Sequence, residues 1–291
     1  MTSMLLDGEA IAQKIYNSLK KDIKRLPRSP RLSALVVGDP VPTTRIFLER
    51  KKQACEAVGI EFRIKKIKGF SSRTALLARL RDAIQSSRAD GIIIQLPLPS
   101  PFQKNVHAFL RLIPEDKDAD CLSERWLGKM QSGRMGVVIR GKPVALVPPV
   151  AGALAAFLKE LNIDPKGKRA LIIGWGELVG KPCTAWLLHK GATVMVAQRT
   201  ESKLSELLAQ AEIIVTGTGI RGLVFKNALR PDAVIIDAGV SAPEGKILGD
   251  INVSEVAPHV RAITPTPGGV GPVTVAVLLE NVVKLARARL K

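Results

Sequence analysis

The chain switches repeatedly between two hydrophobic periods. Stretches with apolar residues three and four apart read as amphipathic helices. Short apolar runs bounded by Gly, Pro or charged residues read as buried strands. On that basis IAQKIYNSLKKDIKRL predicts a helix, RLSALVVG a strand, and the segment from Thr44 a second helix. EFRIKKIKG predicts a strand, SRTALLARLRDAIQSS a helix, and ADGIIIQLPLP a strand ending in a proline-rich loop. A loop-rich section from Ser100 to Pro149 interrupts the rhythm. VAGALAAFLKEL then opens a helix, and GKRALIIGWGELVGKPCTAWLLHKGATVMVAQRT starts a second α/β unit. AEIIVTGTG and DAVIIDAG supply further strands, and a last helix starts near Val273. This β-α-β succession predicts an α/β fold of two domains joined near residue 147. Mostly parallel strands are covered by helices, with functional loops at the C-terminal strand ends.

One helix carries an anomaly. At about 100° per residue, Phe47, Ala54, Cys55 and Val58 fall on one narrow apolar face, and Lys51 sits inside it. An ammonium group is costly to desolvate, so a lysine there is unusual. On this segment alone, a packed stem with the amine snorkelling to water is the favoured account.

Composition adds bounds to this picture. A chain of 291 residues, 46% hydrophobic and 24% charged, has the size and profile of a two-domain globular protein. It shows no apolar run of membrane-spanning length and no secretory signal pattern. Cys55, Cys121 and Cys183 are far apart and lack metal-ligand spacing, which predicts reduced thiols, a cytoplasmic location and no metal site. The net charge of +18 invites a nucleic-acid reading. The cations are dispersed among acids, and one Tyr and seven Phe make a poor base-stacking surface. Neither nucleic acid nor membrane is expected as a partner, and the positive field suits small anionic ligands.

ALIIGWGELVG is an apolar strand running into Gly174, Trp175, Gly176, Val179 and Gly180 before a helix. Gly174 permits a tight turn, Gly176 lets backbone approach a pyrophosphate, and the helix N-terminus supplies N–H donors. The spacing is one residue longer than the commonest dinucleotide fingerprint. The next strand ends in Gln198-Arg199-Thr200, without the acidic residue that reads a free ribose 2′-hydroxyl, so Arg199 favours NADP over NAD. A solvated arginine is the competing account of Arg199. Thr218 and Gly219, in VTGTGIRG, are expected near the nicotinamide half.

Several motifs converge on one family: VGDP (37–40), ERKKQACEAVGI (49–60), DGIIIQLPLP (90–99), PEDKDAD (114–120), GELVGKP (176–182), VIIDAG (234–239), GDI (249–251) and ITPTPGGVGPVTVAVLLEN (263–281). With them the chain resembles bifunctional methylenetetrahydrofolate dehydrogenase/cyclohydrolase over nearly its whole length. The resemblance implies residues 1–146 as a folate-binding catalytic domain, completed by the C-terminal helix 273–291. It implies residues 147–272 as an NAD(P)-binding Rossmann-like domain, with the active site in the cleft between the two. It makes Lys51, Gln95 and Asp120 catalytic, with Lys51 as base or relay, Gln95 holding its amine and Asp120 anchoring the pterin. Phe47, Leu98, Pro99, Pro267, Gly268, Gly269 and Val270 would contact the folate, and Gly271 and Thr274 would join the cofactor site. It further implies a tetrahydrofolate substrate, a homodimer and a place in the one-carbon metabolism that feeds purine biosynthesis.

The sequence also departs from the family pattern. Phe47 stands where the family has tyrosine, Trp175-Gly176 where it has Arg-Ser, Cys121-Leu122 where it has Gly-Phe, and Trp126 where it has asparagine. Val147-Pro148-Pro149-Val150 replaces Pro-Cys-Thr-Pro. Two further readings therefore stay open: a monofunctional dehydrogenase with weak cyclohydrolase activity, and a non-catalytic folate- or nucleotide-binding paralogue.

Overall fold

The computed structural model describes residues 3–198, 200–224, 226–241 and 247–290. They form two compact units: residues 14–148 with 275–291, and residues 1–13 with 149–274.

The first of these is built on a three-stranded parallel sheet with Arg31–Val37 between Glu61–Ile67 and Gly91–Ile94. The central strand is apolar at nearly every position because both of its faces are covered. Leu32, Ala34 and Val36 enter one core with the C-terminal helix residues Leu278, Leu279, Val282 and Val283. Leu35 and Val37 enter the other, with Leu76, Leu80 and Phe109. This is the period-two division of a strand buried on both sides. Glu61–Ile67 lies at the sheet edge, and its Arg63, Lys65 and Lys66 face water, which discourages further strand pairing. Arg28 anchors the third strand by clamping the buried Asp90 through two hydrogen bonds of 2.8 and 2.9 Å.

The section read as loop-rich folds locally: Phe102–Asn105 is a 3-10 turn and His107–Leu110 a short helix. Glu124–Gln131 is a helix, and Gly136–Ile139 pairs antiparallel with Lys142–Ala145. The hairpin turn is Arg140-Gly141, with φ of +50° and +76°. That is the left-handed pair a two-residue hairpin requires.

The second unit holds a six-stranded, wholly parallel sheet. Its order is Met4–Leu5, Ala262–Ile263, Val234–Asp237, Ile213–Thr216, Arg169–Ile173 and Thr193–Ala197. Leu171, Ile173, Ile214, Ile235 and Ile263 fill one core below it. The expected first domain began at residue 1, yet Met4 and Leu5 extend this sheet by pairing with Ala262 and Ile263. Pairing across some 260 residues leaves no local signal. Gly8 secures the arrangement: its N–H donates to the Gly268 carbonyl at 2.9 Å, and a Cβ there would lie 1.8 Å from the Gly269 oxygen. The last helix starts at Val270, three residues before the expected point, and runs to Leu290. No helix among the described residues is long and apolar enough to cross a membrane.

Candidate active site

Helix Pro42–Val58 begins with Pro42, whose missing N–H has no partner to lose, and stops at Gly59, φ +91°. Its buried face runs Thr44, Leu48, Cys55 and Val58. Leu48, not Phe47, is the core residue of the first turns, and Phe47 flanks the stripe half-buried. Lys51 still falls inside the stripe, one turn from Phe47 and from Cys55.

Lys51 is half-buried, and its ammonium finds a partner within the protein. It donates to Gln95 Oε1 at 2.8 Å. Gln95 follows immediately on strand Gly91–Ile94, and its N–H continues the ladder to Leu35 at 2.9 Å. Its Nε2 donates to the Leu96 carbonyl at 2.7 Å, which leaves the amide oxygen as the edge facing Lys51. Burial lowers the Lys51 pKa from that of an ordinary lysine; the nearby Asp120 and Cys55 oppose the shift without reversing it. Burial likewise raises the Asp120 carboxyl, against the pull of Lys51. The Cys55 thiol is pushed up to about 12 by burial, so it stays protonated and inert at neutral pH.

Asp120 is held by its backbone neighbours. Residues 117–119 lie along strand Gly91–Ile94: Ile92 donates to the Lys117 carbonyl at 2.7 Å, and Ala119 donates to Ile92 at 3.4 Å. Asp118 turns inward, 1% exposed, and accepts the Ser123 N–H at 3.0 Å. Burial pushes its carboxyl up to about 6. Cys121 takes φ +55°, the region that favours glycine, and this accounts for the glycine of the resembled pattern at that place. Trp126 is fully buried in the core.

Sequence reasoning missed Asn281. This fully buried amide donates to the Ala119 carbonyl at 2.9 Å and to the Val147 carbonyl at 2.7 Å, and accepts the Val147 N–H at 3.4 Å. It thereby fixes the residue preceding Asp120. The signal was a lone amide within an otherwise apolar helical stretch. Of the folate contacts expected on this unit, Phe47 and Pro99 are half-buried, while Leu98 is packed into the core with Leu35 and Ile94.

The other unit carries the glycine turn. Gly174 has φ +100°, and a Cβ on Gly180 would lie 2.1 Å from the Gly174 oxygen, so helix Gly180–His189 abuts the turn closely. Gly176 faces open space. Val179 fills the place a Gly217 side chain would need. This backbone cradle fits a dinucleotide pyrophosphate. Lys181 pairs with Glu177 one helical turn away. Arg199 lies outside the described residues.

At the next strand end, Thr218 donates to Asp250 Oδ2 through both its N–H, at 2.7 Å, and its hydroxyl, at 2.9 Å; Gly219 follows at φ +71°. Asp250 itself donates its N–H to the buried Asp237 at 3.2 Å. In the PGGVGP loop, Gly268 takes φ +93° and Pro267 is exposed. Gly269 is buried against Pro265 and Thr264, and Val270 is buried as well. Gly271 opens to solvent, and the Thr274 hydroxyl donates to the Val270 carbonyl at 2.9 Å. No cluster of three or more metal-ligating side chains occurs among the described residues.

Comparison with known proteins gives whole-chain matches. Residues 6–120 match the family model of the tetrahydrofolate dehydrogenase/cyclohydrolase catalytic domain, and residues 148–290 that of its NAD(P)-binding domain. A Hydrogenobaculum protein named bifunctional protein FolD is 34% identical over 286 residues, covering 98% of this chain and 99% of that protein. The bifunctional methylenetetrahydrofolate dehydrogenase/cyclohydrolase structure from Campylobacter jejuni has a TM-score of 0.87 at 32% identity, covering 98% of this chain and 99% of that one. The Trypanosoma brucei enzyme, solved with NADP and an inhibitor, has a TM-score of 0.87 at 26% identity, over 99% and 98% of the two chains.

Proposed function

The chain belongs to the tetrahydrofolate dehydrogenase/cyclohydrolase family, and on that footing we propose how its own residues carry the two reactions. The enzyme oxidises 5,10-methylenetetrahydrofolate to the methenyl form and hydrolyses that product to 10-formyltetrahydrofolate. The observation that carries the site assignment is the hydrogen bond from half-buried Lys51 to buried Gln95, beside Asp120.

NADP would supply a hydride acceptor for the one-carbon bridge. Gly174, Gly176 and Gly180 would hold its pyrophosphate, and the Thr218-Gly219 turn would border its nicotinamide half. Hydride transfer asks the protein mainly for alignment and exclusion of water. Hydrolysis asks for more, because water must add to the methenyl carbon and lose a proton. Lys51 takes that proton at Nζ. Its lowered pKa provides neutral amine nearer to physiological pH than an ordinary lysine does. Gln95 keeps the amine aimed by accepting one N–H and leaves the nitrogen lone pair for the proton. Asp120 anchors the pterin by accepting from its amino and ring N–H groups, which satisfies a carboxylate otherwise desolvated at a loss. Residues 14–148 form the folate side and residues 149–274 the dinucleotide side. The enzyme works as a homodimer in the cytoplasm and supplies one-carbon units for purine biosynthesis.

Phe47 favours a second reading, in which dehydrogenation persists and hydrolysis is weak, since no phenolic hydroxyl is available to share a proton with Lys51. Product identification after a neutral quench separates the two. Formyltetrahydrofolate made faster than spontaneous hydrolysis, and lost in Lys51→Ala, supports the bifunctional reading. Reduced NADP with methenyl product alone supports the second.

A further inference from the structure

The glycine turn exposes two apolar side chains, Trp175 at 41% and Leu178 at 44%. The other two tryptophans are buried, Trp126 at 0% and Trp186 at 7%. An indole standing in water on a glycine-flanked turn is a large apolar surface without a cover. Nothing in the turn supplies one: Gly176 faces open space, and Lys181 is engaged with Glu177.

Its place in the sheet says what the cover is. The Gly174 N–H donates to the Ala197 carbonyl at 2.9 Å, so Trp175 stands beside the end of strand Thr193–Ala197. In a doubly wound sheet that strand end meets the adenosine half of a dinucleotide, while the pyrophosphate sits at the following helix N-terminus. A purine base calls for a flat apolar partner. Neither the uncharged amide of Gln198 nor the Lys181–Glu177 pair is one.

We infer that Trp175 is the adenine platform of the dinucleotide site: its indole stacks on the base and contributes affinity that is blind to the 2′-phosphate. The inference rests on the NADP reading above. It identifies the adenine ring, not the ribose phosphate, as what this residue recognises.

The test uses the full chain and two probes, 2′,5′-ADP and 5′-ADP. Affinity is read by calorimetry and stacking by tryptophan emission. Both nucleotides should quench the long-wavelength emission of the single exposed indole. Trp175→Leu should abolish that quench and weaken both by the same factor, about five- to a hundred-fold, the size of one base–aromatic stack. Trp175→Phe should restore most of the affinity and controls for any folding defect of the leucine variant. Unchanged affinity in Trp175→Leu, emission unmoved while calorimetry shows binding, or a loss confined to 2′,5′-ADP each overturns the platform and leaves the NADP reading standing. Failure of the wild-type protein to bind either nucleotide overturns both.

Discussion

Gln95 presents its amide oxygen to Lys51 at 2.8 Å because its amide nitrogen is already committed to the Leu96 carbonyl at 2.7 Å. The lysine thus meets an uncharged acceptor in a desolvated place, the condition that keeps its proton loosely held. Gln95→Glu would substitute a carboxylate of nearly the same shape. An opposite charge at hydrogen-bond distance stabilises the ammonium. The rising, acidic limb of the cyclohydrolase pH–rate profile, which reports the free Lys51 amine, should therefore move to higher pH, and the rate at neutral pH should fall. Lys51→Ala should lower hydrolysis by about 10²- to 10⁴-fold, the usual contribution of a positioned acid–base group. Following the methenyl absorbance across pH checks both.

Phe47→Tyr places a hydroxyl one helical turn from Lys51. Hydrolysis should rise relative to dehydrogenation, and the ratio of the two rates on one preparation is the measurement.

The buried Asp118 titrates within reach of experiment. Its carboxyl moves from 3.8 to about 6 on folding. Below the lower value both states hold the proton; between the two values only the folded state does. Its contribution to stability is therefore full at low pH and is lost as pH rises through about 6. Asp118→Asn should flatten this part of the stability curve by on the order of 2 to 3 kcal/mol. Urea unfolding of both proteins at pH 4, 5, 6 and 7 reads the difference directly.

Two glycines of the turn should respond differently to a methyl group. Gly180→Ala pushes a Cβ to 2.1 Å from the Gly174 oxygen, a backbone atom that cannot step aside. It should lower the Tm and weaken 2′,5′-ADP binding. Gly176→Ala meets open space and should stay within about 0.5 kcal/mol of wild type.

Asn281→Ala strands the Ala119 carbonyl and both polar groups of Val147. A destabilisation of roughly 3 kcal/mol is expected from buried groups left unpaired. Since the Ala119 carbonyl borders Asp120, the KM for the folate should rise as well. Asn281→Asp should not rescue it, because a carboxylate cannot donate to two carbonyls.

What could be read in advance followed from local periodicity. The strand Arg31–Val37 is apolar throughout because two cores claim its alternate side chains, and Lys51 betrayed itself by its angle on the helix. The choice of Phe47 over Leu48 for the core face shows the resolution of that reasoning: neighbouring positions differ by 100°, and a broad apolar stripe admits either. Met4–Leu5 was illegible because two residues carry no period and their partner is Ala262–Ile263. Asp118 and Asp120 are one residue apart in KDAD, yet only the fold makes one a backbone acceptor and leaves the other toward Lys51. Asn281 has its role only because residues 119 and 147, far from it in the chain, close around it.

The route of the backbone has a consequence for dissecting the molecule. The polypeptide passes from one unit to the other at residues 13–14, 148–149 and 274–275. Neither unit is therefore a contiguous stretch of the gene. An excised fragment of residues 149–274 would lack the Met4–Leu5 strand and the Gly8 packing against Gly268 and Gly269. A modular swap of nucleotide specificity between relatives thus needs three splice points, and two of them fall within continuous helices, Gly8–Ile23 and Val270–Leu290. Changes in cofactor use are accordingly better sought by point substitution in the glycine turn than by exchange of whole cassettes.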